Sequence, residues 1–220
     1  MTQETCMWMR MPGQTWTDAG ASFLGMWVVM MVAMMLPSLV PMLWRYRLMI
    51  GEVNETRAGR LIALVGVGYF VVWTVLGTIV FPVGVALAEL PMRHPALARI
   101  APIAISAVVL LAGVVQLSEW KAQHLAICRG GPGGGCALSA DAGTALRYGL
   151  RLGAYCTRSC AGLTAVVLVL GMTDVGVMAA ATAAITAERL APASARAARA
   201  IGVVVVAAGL TQIARAAGLG

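Results

Sequence analysis

Six stretches of the chain are almost wholly apolar, and short polar segments part them. They cover residues 21–43, 61–87, 102–118, 152–171, 174–189 and 200–214. A helix rises about 1.5 Å per residue, so about 20 residues cross the hydrocarbon core of a bilayer. The pattern predicts an all-α, polytopic membrane protein with six transmembrane helices, and residues 21–216 as a single helical domain. Residues 1–20 are polar and lack the basic start and short apolar core of a signal peptide, so they are expected to stay as an extracytoplasmic tail.

Residues 149–188 are too long for one crossing and suit two. Their one plausible turn, Gly171 to Asp174, predicts a tight hairpin between the fourth and fifth helices. The third helix is expected to run on past the membrane through Glu119, Trp120 and Lys121 to Arg129. Gly130, Gly131, Pro132, Gly133, Gly134 and Gly135 then form a flexible joint. No Gly-Lys-Ser/Thr follows these glycines, so they are not a phosphate-binding loop.

The first apolar stretch is segregated by residue type. At roughly 100° per residue, Met26, Trp27, Met30, Met31, Met34, Met35 and Met42 fall within about half the helix circumference. Val28, Val29, Val32, Ala33, Leu36, Leu39 and Val40 take the other half. A Met face against a branched aliphatic face suggests two environments, protein on one side and lipid on the other. Methionine fills irregular gaps in helix bundles, and its thioether is also a soft neutral donor. Met30, Met31, Met34 and Met35 are therefore candidate secondary metal donors as well as packing residues. Met7, Met9 and Met11 beside Cys6 are read as incidental to a polar tail.

Composition agrees with the pattern. The 220 residues are 60% hydrophobic and 11% charged, where soluble domains hold about 25% charged residues. The net charge of +7 reflects loops and contact with anionic headgroups, with no nucleic acid partner. If the loop after the first helix is cytoplasmic, the inside segments hold Arg45, Arg47, Arg57, Arg60, Lys121, Arg129, Arg147, Arg151, Arg189, Arg196 and Arg199. The outside segments hold Arg10, Arg93, Arg99 and Arg215. The positive-inside rule then puts a multi-pass chain in a bacterial cytoplasmic (inner) membrane with both termini extracytoplasmic.

Two pairs of metal-ligating residues share a spacing. Cys156 and Cys160 are four apart, on one face of the fourth helix and just inside the inner leaflet. His124 and Cys128 have the same spacing on the extension of the third helix. In a reducing cytosol these thiols, with Cys136, are expected to be unpaired. Three Cys and one His suit a closed tetrahedral Zn(II) site, and two or three thiolates suit Cu(I). Intramembrane carboxylates are costly. Asp174 is expected to cap the fifth helix. Glu188 is expected to form an ion pair with Arg151 or Arg158 at the same level.

Several of these residues together resemble a known family. The segment WVVMMVAMMLP (residues 27–37), Tyr69 with Trp73, Gln116 with Lys121 and Cys128, and residues 149–188 with their closing Glu188-Arg189 are similar to the bacterial family of predicted metal-binding integral membrane proteins. The resemblance covers residues 20–192 and implies a helical membrane fold and metal binding. In that family the hairpin reads Cys-x-x-Cys-Cys-Trp; here Ser159 and Ala161 stand at two of those positions. The family's Gly-Val-Met-Asn turn is Gly171-Met172-Thr173-Asp174, and its second Cys-x-x-x-Cys is His124 and Cys128.

The sequence thus points to a membrane protein that binds a soft metal ion near its cytoplasmic face, copper as Cu(I) first and Zn(II) second. Its role would be metal handling or delivery to a partner membrane protein or metalloenzyme, with lipid around it. Two alternatives stand beside this reading: an accessory subunit of a membrane complex, and a membrane thiol oxidoreductase. The second lacks any visible quinone or flavin motif, and Cys-x-x-x-Cys is a poor redox pair. No Ser-His-Asp set or His-Glu-x-x-His motif supports hydrolysis.

Overall fold

The computed structural model describes the backbone of Trp8 and of residues 13–93, 95–130 and 138–216; the side chains of residues 91, 95, 96, 99, 127–130 and 216 fall outside that description. Cys6, Met7, Met9, Met11, Gly131, Pro132, Gly133, Gly134, Gly135 and Cys136 also lie outside the described residues. Among the described residues seven helices of twelve residues or more follow one another: α1 (Trp16–Met49), α2 (Glu55–Arg93), α3 (Pro95–Leu117), α4 (Glu119–Gly130), α5 (Ala142–Leu170), α6 (Val175–Leu190) and α7 (Ser194–Ala216). No strand occurs among the described residues.

Five of these helices, α1, α2, α3, α5 and α7, are long and apolar enough to cross a membrane. The remaining expected crossing, the fifth in chain order, forms α6, which has only 16 residues. Most helices exceed their apolar stretches because caps and polar turns extend them. Thr15 opens α1 with a reciprocal capping box, its hydroxyl accepting from Asp18 N while Asp18 accepts from Thr15 N. Asp141 opens α5 ten residues before the apolar stretch begins. It accepts from Thr144 N at 2.9 Å, and the hydrogen bonds to Thr144 hold its carboxyl down at about 2. Asp174 caps α6 by accepting from Gly176 N and Val177 N, as the sequence leads one to expect. Gly171, at φ +134°, supplies the backbone conformation that ends α5.

The continuous extension of the third helix does not form. The chain breaks at Ser118, whose Oγ donates to Val115 O at 2.6 Å, and α4 starts afresh at Glu119. A serine that bonds back to its own turn competes with the helix ladder.

Helix α5 is the hub, packed on α2, α3, α4 and α6. Its approach to α2 is close because glycines face backbone. A Cβ on Gly149 would lie 2.2 Å from Val65 O, and one on Gly68 2.7 Å from Leu146 O. Matching levels (Gly149 by Val65, Gly153 by Tyr69) show that α2 and α5 run parallel. Gly202 beside Leu117 and Gly209 beside Leu110 show that α3 and α7 run antiparallel. Small residues give apolar helices this kind of backbone contact.

The Met side of α1 faces inward. Met30, Met31, Met34, Met35 and Met42 are buried with Trp27, whose Nε1 donates to Trp73 O at 2.8 Å. Val29 is 70% exposed, and Leu36 and Val40 are exposed beside it. Leu39 departs from the expected division: it is buried with the methionines, next to Ser38.

Candidate metal centre

On α5, Cys156, Ser159 and Cys160 share one face, at spacings of three and four. All three are buried. The Cys156 and Cys160 sulfurs are 3.9 Å apart, in contact and without a disulfide. Two sulfurs on one ion, each at about 2.3 Å, can be no more than about 4.6 Å apart, so this separation lies within reach of a shared ion.

Four other helices bring polar groups to this face. From α2, the Tyr69 hydroxyl is 2.8 Å from Cys156 Sγ. From α6, Arg189 Nη2 is 3.5 Å from Cys160 Sγ and 3.4 Å from Ser159 Oγ. From α4, Lys121 Nζ donates to the Ser159 carbonyl and forms an ion pair with Glu188 Oε2 at 2.8 Å. From α3, Gln116 Nε2 donates to Glu188 Oε1. Adjacent residues of α6 divide the work: Glu188 meets α3 and α4 while Arg189 meets α5. Charges inside an apolar bundle persist only where partners replace water. A guanidinium beside a sulfur is the counter-charge a thiolate would need there.

The Glu188 partner corrects the expectation from sequence. Arg158 is exposed, and Lys121 takes its place. Arg158 lies two residues from each cysteine, and two residues is about 200° around a helix, so it faces away from the cluster. Arg151 is exposed too.

The other expected ligands fare differently. His124 sits on α4 with Nδ1 2.9 Å from Trp120 O and its ring against the Trp120 indole, centroids 4.2 Å apart. Its contacts are thus with its own helix. The Cys128 side chain lies outside the described residues. Among the described residues no group of three or more His, Cys, Asp and Glu comes together in a way that could hold a metal ion. Met30, Met31, Met34 and Met35 belong to the same continuous core as Cys156 and Cys160.

Tyr69, Gln116, Lys121 and Arg189 complete the cluster without having been singled out as its members. Their signal lay in the company they keep: Tyr69 and Gln116 as isolated polar groups in apolar helices, and a Glu-Arg pair closing an otherwise uncharged one; Lys121, on the polar helix α4, carried no such signal.

A protein-family model described as PpoB2, copper chaperone, matches residues 24–212, most of the chain. No curated protein and no solved structure matches it.

Proposed function

As this chain belongs to the PpoB2 copper chaperone family, we propose that it takes copper as Cu(I) between the Cys156 and Cys160 sulfurs, within a membrane, and passes it to a partner membrane metalloprotein. Copper is its cargo. The observation that carries the reading is the buried sulfur pair, 3.9 Å apart on one helix face. Thiolates are the soft ligands that Cu(I) prefers, and it accepts low coordination numbers. Tyr69 and Ser159 fix the two sulfurs by contact from either side, and Arg189 supplies positive charge beside the Cys160 sulfur. Zinc would need a fuller ligand set, to which only His124 and Cys128 on α4 are candidates to add.

The buried methionines of α1 are secondary donors along a route to the pair, since neutral thioethers bind Cu(I) weakly enough to release it. Helix α4 begins after the break at Ser118, and this segment, with His124 and Cys128, is where the ion would leave for a partner. The arginines at the end of α1 (Arg45, Arg47) and at the starts of α2 (Arg57, Arg60) and α5 (Arg147, Arg151) support a cytoplasmic location for that side.

The test is metal analysis of the purified protein in detergent after loading with Cu(I). One ion per chain is expected for the wild type. Changing both Cys156 and Cys160 to Ser should remove it while helical content stays intact, because the backbone does not depend on either thiol. A double variant that keeps its copper would sink the site. A wild-type protein that takes none would leave the accessory-subunit reading in first place.

A further inference from the structure

We propose that Arg189 tunes the sulfur pair to monovalent ions by matching charge. This rests on the reading of Cys156 and Cys160 as the copper ligands. The buried charged residues among those described are Lys121, Glu188 and Arg189, two positive and one negative. All three surround the same face of α5. Lys121 and Glu188 oppose one another at 2.8 Å, and Arg189 reaches the Cys160 sulfur at 3.5 Å. Among the described residues the buried charges around the sulfurs therefore sum to one positive charge.

Two thiolates with one Cu(I) make a complex of net charge −1. The cluster then sums to zero. Two thiolates with Zn(II) are neutral by themselves, and the cluster keeps an uncompensated positive charge away from water. Burying an unbalanced charge is costly, so the arrangement favours Cu(I), or Ag(I) as its redox-inert analogue, over any divalent ion. Ligand softness acts in the same direction. The charge argument is separable from it because it depends on a residue that need not touch the ion.

Removing the charge should weaken binding of the monovalent ion and not that of the divalent one. Arg189→Gln leaves the Cu(I) complex as an uncompensated anion and the Zn(II) complex neutral. A unit charge several ångströms away at an effective dielectric of about 20 corresponds to roughly a hundredfold in affinity. The measurement is a competition titration of full-length protein in detergent, with Ag(I) and Zn(II) each against a chromophoric chelator. The ratio of Ag(I) to Zn(II) affinity is expected to fall at least roughly tenfold in Arg189→Gln, with Zn(II) binding unchanged or tighter, and to be largely kept in Arg189→Lys. A structural lesion would weaken both ions together. The proposal is overturned if the ratio is unchanged in Arg189→Gln, if both affinities fall in parallel, or if Arg189→Lys loses the ratio as fully as Gln. Should the Gln variant not fold, Arg189→Lys against the wild type decides alone by the same criterion of a kept ratio. If the wild type binds neither ion, the copper site itself has failed, a distinct result.

Discussion

At the scale of the residue, two sulfurs on one turn of α5 and a buried ion pair between α4 and α6 build the cluster. Cys156 and Cys160 meet because four residues make about one helical turn, which needs no knowledge of the fold. The partner of Glu188 was not legible in that way. Arg158 has the right level along the helix axis but the wrong azimuth, while Lys121 comes from a separate helix, α4, that starts after the break at Ser118 and packs on α5. The Lys121–Glu188 pair is buried on both sides, each side chain 2% exposed. Loss of one member leaves the other as an uncompensated charge, which typically costs about 3–5 kcal/mol. Lys121→Met and Glu188→Leu should each lower the thermal unfolding midpoint in detergent clearly. The double variant should be more stable than either single one, because apolar replacement of a whole buried pair is often close to neutral. Two single effects that simply add would show that the ion pair is not the coupled unit its geometry suggests.

At the scale of the element, sequence gave helix identity well and helix ends badly. Apolar stretches mark where lipid or core is met, not where the hydrogen-bond ladder stops. Thr15 and Asp141 extend α1 and α5 through polar residues that the hydrophobic pattern cannot see. The two-sided character of α1 was readable because residue type and azimuth coincide, apart from Leu39, which sits near the boundary between the two halves; which side faces inward was not. Burial by itself does not separate packing from a metal route, since both need these side chains inside. Met30, Met31, Met34 and Met35 replaced together by Leu separate them. Met and Leu are near volume-matched, so the fold should survive, with under about 1.5 kcal/mol lost per site. Copper uptake by the Cys pair, followed by stopped-flow absorbance, should slow while the final stoichiometry stays at the wild-type level. Unchanged kinetics would leave these methionines as packing residues only.

At the scale of the whole molecule, the open question is whether α6 completes a sixth crossing. Its 16 residues extend about 24 Å, short of a hydrocarbon core of about 30 Å. Its neighbours decide where its ends must be. The start of α2 meets the start of α5, with Arg57 Nη2 donating to Ala140 O at 2.7 Å, and Leu138 N donates to Met49 O at the end of α1. Helices α2 and α5 run parallel, so α5 delivers Asp174 to the side opposite Gly51. Helix α7 runs antiparallel to α3, and Arg199 near its start pairs with Glu119 just beyond the end of α3, at 3.0 Å. The start of α7 is thereby tied to the side on which α3 ends. Since α2 and α3 follow one another as successive crossings, that is the side of Gly51. This packing leads us to expect α6 to return from the far side to the near one, with the burial of Glu188 and Arg189 by protein easing the passage of its polar end. Six crossings put both termini on one face. Reporter fusions at Gly51 and Ala193 should both read cytoplasm, as the arginines flanking these sites require. Fusions at Gly13 and at Thr173 should both read outside. An outside signal at Ala193 with cytoplasm at Gly51 would mean that α6 dips in and returns, and the chain would then cross five times with its termini on opposite faces.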